Sequence, residues 1–465
     1  MITRRAIAVM VGIVYSGGCA EPSVVEVEFR ITTARNDDPY LGGTELLIVA
    51  TQGPRLLSET HVPIDAREVE VGAFDFGEAF SLRIDVFDRT TLLARGRSFP
   101  FDVSRDQPAP QPDVWIGRLG RFVSQVDAVP DGEVLAITPA TQGALFVTAS
   151  GTLYAYDAHT VESGQAQLTM LGSHPDRSDS VWTAWGDGML LSIGGSTGGA
   201  VLFDESGEAV AALGRDELGE QHQDMAVAVL SERQVAVVIG GTAFNGTELD
   251  AVRRIELTAT GELMATVLDP LSAPIVGSAA TTVQVASDGG PADRVVLVGG
   301  TRRGEAQGEV VLIDPLGDAA MITFDLPTDR TGAALAVLST GLVLLAGGET
   351  AAGLTDEVLV LSVRSTTIEA VSPAPPPLFV ARRNPAVVSL GPGLVLLVGG
   401  QGAMDAPLSS SEIIEVSTDV FPGDVVASGN LPVPLSSGHA VALGDRSILV
   451  VGPEALLSFV PPRGQ

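Results

Sequence analysis

Five histidines (His61, His159, His174, His222 and His439), one cysteine (Cys19) and 27 basic residues, all arginine, bound the chemistry open to this chain. The histidines are scattered, with no HExxH, CxxC or His-x-His pattern, so the sequence carries no zinc site. Without lysine there is no Schiff base and no P-loop lysine. A lone cysteine near the N-terminus leaves the folded body without a thiol nucleophile or an internal disulfide. The acidic stretch DPLGD (314–318) lacks the alternating ligands of a calcium loop. No cofactor is expected; calcium is the single ion left open. Arginine, a bidentate partner for carboxylates, is the main tool for polar recognition. The chain reads as a binder and not as an enzyme.

Those residues must be positioned by a repeat. An apolar run ending in diglycine returns as LLSIGG (Gly194, Gly195), VAVVIGG (Gly240, Gly241), VVLVGG (Gly299, Gly300), LVLLAGG (Gly347, Gly348) and LVLLVGG (Gly399, Gly400). Self-similarity at roughly 40–50 residues marks a solenoid, propeller or array. Each diglycine ends a strand where the chain must turn sharply, which favours residues that reach positive φ. None opens a GxGxxG or GxxxxGK, and another strand follows in each case, so these are structural turns and not phosphate loops.

Upstream of each diglycine a short strand begins near an alanine, as in TGAALAVL (331–338), NPAVVSL (384–390) and GHAVALG (438–444). Downstream comes a third strand, as in TLYAYD (152–157), AVLFD (200–204), EVVLIDP (309–315) and EVLVLS (357–362). LFVTASGTLYAYD (145–157) and SILVVGPEALLSFV (447–460) add edge units, for seven in all, with six as the alternative. The last unit stops after its third strand, and WIGRLGRF (115–122) is the candidate to supply its outer strand and close the ring.

This order resembles the kelch repeat of β-propellers. The Arg-x-x-small-Ala start is matched at Arg330…Ala334 and Arg382…Ala386, and the His-Ala at His439-Ala440. The aromatic-Asp pair is matched at Tyr156-Asp157 and Phe203-Asp204, while the late tryptophan is missing from every unit. The resemblance implies that each first strand is innermost and begins at one mouth of a central channel. Aligned on the alanine, Ser124, Ser180, His222, Val276, Arg330, Arg382 and Ser436 become equivalent, with Asp127 and His439 directly before the alanine of the first and last units. Arg330, Arg382, His222, His439 and Asp127 are therefore the candidate ligand-binding residues, a basic funnel suited to a carboxylate or acidic sugar. The competing reading ties the arginines to nearby acids such as Asp329, bridging adjacent blades. Trp182 and Trp185 read either as a sugar-stacking surface or as packing. The copper-radical oxidase of the family needs a tyrosine cross-linked to a cysteine, and Cys19 is in the wrong place for that. The family's sialic-acid mutarotase supplies the enzymatic alternative, with Arg330 and Arg382 binding and a histidine as general base.

Ahead of the repeat, residues 1–19 read as a signal peptide: Arg4 and Arg5, an apolar stretch Ala6 to Tyr15, then small residues up to Cys19. The segment resembles a bacterial lipoprotein signal, which implies lipidation at Cys19 and, with Ala20 following, the outer membrane or cell surface; secreted or periplasmic release is the alternative. Residues 20–105 alternate as several short strands, with Val25, Val27, Phe29 and Ile31 on one face, and suggest an immunoglobulin-like sandwich. A Pro-rich linker (106–114) leads to the propeller (115–465). The fold class expected is all-β. A net charge of −30 disfavours nucleic acid and anionic headgroups, so membrane contact rests on lipid alone. A monomer binding a protein or glycan at the envelope is expected, with a structural spacer as a further alternative.

Overall fold

The computed structural model describes residues 6–10 and 27–462, apart from 28, 35–36, 67, 71–76, 105–109, 125–129, 131, 159–165, 187, 288–289, 318–320, 417–422 and 454, with backbone alone at 6–10, 68–70 and 221–222. Cys19, Asp127 and His159 lie outside the described residues. The chain is all-β with almost no helix, and seven four-stranded antiparallel sheets form a propeller. The first strands of the blades are Val134–Ala140, Val181–Gly186, Ala226–Leu230, Ala279–Ser287, Ala334–Ser339, Ala386–Gly391 and His439–Ala442. Each touches the next, and the last touches the first, so the ring closes.

The second strands explain the apolar runs. In Leu342–Ala346 of blade 5, Val343 and Leu345 pack with Val296 and Val298 of blade 4. Leu344 and Ala346 pack with Val395 and Leu397 of blade 6. A strand covered on both faces needs a continuous hydrophobic run and no alternation.

Closure comes from the N-terminal side, and the strand that supplies it begins at the last residue of the expected 115–122. Asp113–Arg118 pairs with Thr91–Ser98 and Phe29–Thr33 in the N-terminal sheet. The outer strand of blade 7 is Phe122–Ser124, paired with Ala455–Phe459, and the Phe122 and Phe459 rings stack at 4.4 Å. Both segments are apolar, and the earlier one is taken by a sheet that can bury both of its faces.

The N-terminal region forms a nine-stranded sheet whose order includes Ala6–Met10 beside Phe29–Thr33 and Glu68–Glu70. Its core gathers Val27, Phe29, Ile31, Ile48, Ile84 and Ile116 among others. It meets the propeller at the turn joining the first two strands of blade 7. There Phe99 shares a core with Leu443, Leu449 and Phe146, and a Cβ on Gly444 would sit 2.7 Å from its ring. The diglycines and the connectors between blades lie at the other end of those strands.

Candidate functional site

The connectors carry a pattern that alignment on the alanine does not show. Strand register makes Val181, Ala226, Ala279, Ala334, Ala386 and His439 equivalent, since each faces the residue two before the second glycine or its counterpart. Five-residue connectors precede them: LGEQH (218–222), LSAPI (271–275), LPTDR (326–330), LFVAR (378–382) and LPVPL (431–435). The leading leucine is buried in all five. The amides of Leu271, Leu326, Leu378 and Leu431 each donate at 2.8 Å to a carbonyl of the preceding blade, Asp250, Gly308, Asp356 and Ser409 respectively.

The diglycine docks on the end of this connector. Both glycines have positive φ in all five blades, for example +66° and +103° at Gly347 and Gly348. In blades 3, 5 and 6 the first donates to the residue before its own third strand (Gly347 to Glu357 O, 2.9 Å), and the second to the next connector (Gly348 to Arg382 O, 2.8 Å). A Cβ on Gly347 would lie 2.5 Å from the Arg382 carbonyl oxygen. The pair is thus needed twice over, for left-handed backbone and for close approach between blades.

Arg330 and Arg382 close the same turns from below. They are 1% and 0% exposed and do not open onto a funnel. Arg330 donates to Gly347 O (3.4 Å), to Thr328 Oγ1 (2.9 Å) and to Glu357. Arg382 donates to Gly399 O (2.8 Å), Ser410 O (3.1 Å), Ser410 Oγ (3.0 Å) and Glu412. The partner acids belong to the arginine's own blade and are not Asp329; the bridge between blades runs through the Arg382 carbonyl instead. Glu412 is itself buried and also accepts from the amides of Phe379 (2.7 Å) and Val380 (3.3 Å). Burial pulls the Arg382 pKa down, and Glu412 opposes the shift. Two buried opposite charges with every oxygen engaged form a lock.

A third member of this set was not singled out in the sequence. Arg177, four residues before Val181, donates to Gly198 O (2.9 Å) and Gly194 O (3.5 Å). The alanine alignment puts Ser180 at its place; the signal that finds it is a connector ending in arginine. In blade 4 the position belongs to Ile275, not Val276, and in blade 7 to Leu435, not Ser436. The Gly299 carbonyl is served instead by Ser278 Oγ at 3.0 Å.

The other expected residues disperse. His439 sits at the start of its strand, its imidazole pKa lowered by burial against the opposing pull of Glu133 and a hydrogen bond at the Val134 backbone. His222 ends the LGEQH connector, at the register position of Arg330 and Arg382, and its backbone pairs within Gln221–Gln223 and Thr242–Ala243. Trp182 donates to Arg177 O (3.1 Å) and packs on Phe203, and Trp185 is buried in the core between blades 2 and 3. Both serve packing. On the connector face, Arg383 is partly exposed and engages Gln401 Oε1 (2.8 Å), Asp405 Oδ1 (2.6 Å) and Glu349.

No protein-family model matches the chain, and no curated protein does either. Among solved structures, "Structure of YjhT" aligns over 66% of this chain and 100% of that one, at 14% identity and a TM-score of 0.44. At that distance, no activity is transferred from it.

Proposed function

We propose that this is an exported envelope protein, lipid-anchored at Cys19, that binds a protein or glycan on the connector face of its propeller. An immunoglobulin-like N-terminal sandwich holds the propeller off the membrane. The observation that carries the reading is the docking of the N-terminal region on the turn 443–447, at the far end of the blade from the connectors. That arrangement leaves the connectors of blades 2–6 facing outward, as a binding face requires. The mutarotase alternative stands behind this one. It needs Arg330 and Arg382 to meet a substrate, and both guanidiniums are spent on diglycine carbonyls and acids.

Two measurements test the proposal. Growth with an alkyne fatty acid should label the full chain and fail to label Cys19→Ser; equal labelling removes the anchor. The full-length protein is then presented to a glycan array and to surface extracts, beside a variant with Arg383→Glu and Asp405→Arg on the connector face. Binding that weakens in the variant supports the face, and binding indifferent to it contradicts the assignment.

A further inference from the structure

A cavity of about 320 Å³ opens beside the connector into blade 4. Its walls come from four places. The connector supplies Asp269, Leu271 and Ser272, with Ile275 at its end; the third strand supplies Glu309 and Val311; the outer strand supplies Thr323, with Met321 before it. Arg302, from the hairpin after the diglycine, completes the lining.

Comparison with the neighbouring blade explains why space exists here. Glu309 and Glu357 are equivalent, each preceding the third-strand residue that faces the one before the diglycine (Val310 facing Val298, Val358 facing Ala346). In blade 5 the connector ends in Arg330, which runs under the turn to Glu357. In blade 4 the same place holds Ile275, whose shorter side chain turns into the core with Leu271, Val295 and Val311. Glu309 is left to Arg302, which approaches from above. That guanidinium donates from Nε to Pro274 O at 3.0 Å and reaches Glu309 Oε2 only at 3.4 Å. Side-chain exposures of 31% for Arg302 and 21% for Glu309 keep both in touch with solvent. A charge-assisted bond at its optimum is near 2.7–2.9 Å, so this pair retains capacity for another partner.

We infer that this cavity is a binding site for one residue of a neutral, hydroxylated ligand, a sugar of a glycan chain. The inference rests on the glycan arm of the proposed function and gives it a place. Size fits: small-molecule sites run from about 300 to 1,000 Å³, apolar walls with a few convergent polar groups. Leu271, Ile275, Val311 and Met321 supply the apolar surface. Charge selects the class. Two carboxylates (Asp269, Glu309) against one guanidinium oppose an anion, on a chain of net charge −30. A cation would face Arg302 and could use none of its donors. Hydroxyls both donate and accept, matching the carboxylates, Arg302, Ser272 and Thr323 together.

The test is titration of the full-length protein with a panel of methyl glycosides of neutral hexoses and N-acetylhexosamines, with glucuronic acid and glucosamine as charged comparators. Wild type is compared with Ile275→Arg, which rebuilds the blade 5 pattern and fills the cavity, and with Ser272→Trp, which blocks it from the exposed connector. The expected result is millimolar or tighter binding of a neutral glycoside, weaker binding of both charged sugars, and at least a tenfold loss in each variant. No neutral glycoside bound in the millimolar range, tighter binding of a charged comparator, or unchanged affinity in both variants would overturn the site. Should Ile275→Arg fail to fold, Ser272→Trp alone decides. Glycan-array binding that survives both substitutions removes this cavity while leaving the binding face; absence of every glycan and protein partner removes both.

Discussion

The connectors into blades 4 and 5 have equal length, the same buried leucine and the same backbone bond to the preceding blade, yet one ends in Ile275 and the other in Arg330. Behind the arginine lies a closed turn with an acid engaged. Behind the isoleucine lies a cavity with an acid held by a borrowed guanidinium at 3.4 Å. Of these two junctions, the one without the arginine is the one with a cavity. Arg330 and Arg382, which look like ligand groups in sequence, are buried and bonded to glycine carbonyls and acids.

The contrast can be sharpened by substitution. The largest effect is expected at the fully buried pair: Arg382→Met strands Glu412 and should cost about 3–5 kcal/mol by chemical unfolding. Arg382→Met with Glu412→Leu should recover much of that loss; a double variant no better than the single would show that the charges are not coupled. Next comes the diglycine. Gly347→Ala forces positive φ at about 1–3 kcal/mol and adds the clash with the Arg382 carbonyl. Gly246→Ala, at φ +79° with nothing within 4 Å of the new Cβ, should bear the backbone term alone. Equal losses at the two glycines would mean that close approach between blades is unimportant. On the open side, Glu309→Gln should change stability by less than about 1 kcal/mol, as for a solvent-touched pair, and a loss like that of Arg382→Met would erase the distinction between the junctions.

The smallest effect is a pH dependence. His439 has its folded pKa depressed by burial, so the unfolded chain binds the proton more readily. Its contribution is full above the ordinary imidazole value of 6.5 and is lost as pH falls from there through the lowered folded value. His439→Asn should flatten urea midpoints across that window relative to wild type; an unchanged slope would place the acid sensitivity elsewhere.

Much of the propeller is legible in sequence because diglycine performs two backbone tasks at one place, and few other residues can do either. Its spacing therefore counts five of the seven blades. The closing strand is less legible: it starts only at Phe122, the end of the expected 115–122, because residues up to Arg118 are taken by the N-terminal sheet. The connector was hidden by register. Alanine at the first strand slips against the true pairing in blades 2, 4 and 7, which puts Ser180, Val276 and Ser436 where Arg177, Ile275 and Leu435 stand. The leucine four residues earlier is the better ruler, since it is fixed by a backbone bond across the blade boundary. Whether an arginine faces ligand or glycine carbonyl depends on partners twenty to thirty residues away, such as Glu357 and Glu412, and no local pattern specifies that.

The central claim is that one connector position decides whether a junction is locked or open. It is tested most directly by equilibrium unfolding of the reciprocal swaps Arg330→Ile and Ile275→Arg at neutral pH. Arg330→Ile should lose about 1–3 kcal/mol, because the Gly347 carbonyl and Thr328 hydroxyl lose their donor. Ile275→Arg gives up the packing of a buried isoleucine but meets an acid and a cavity, so it should lose less than Arg330→Ile. Equal and large losses from the two swaps would contradict the claim.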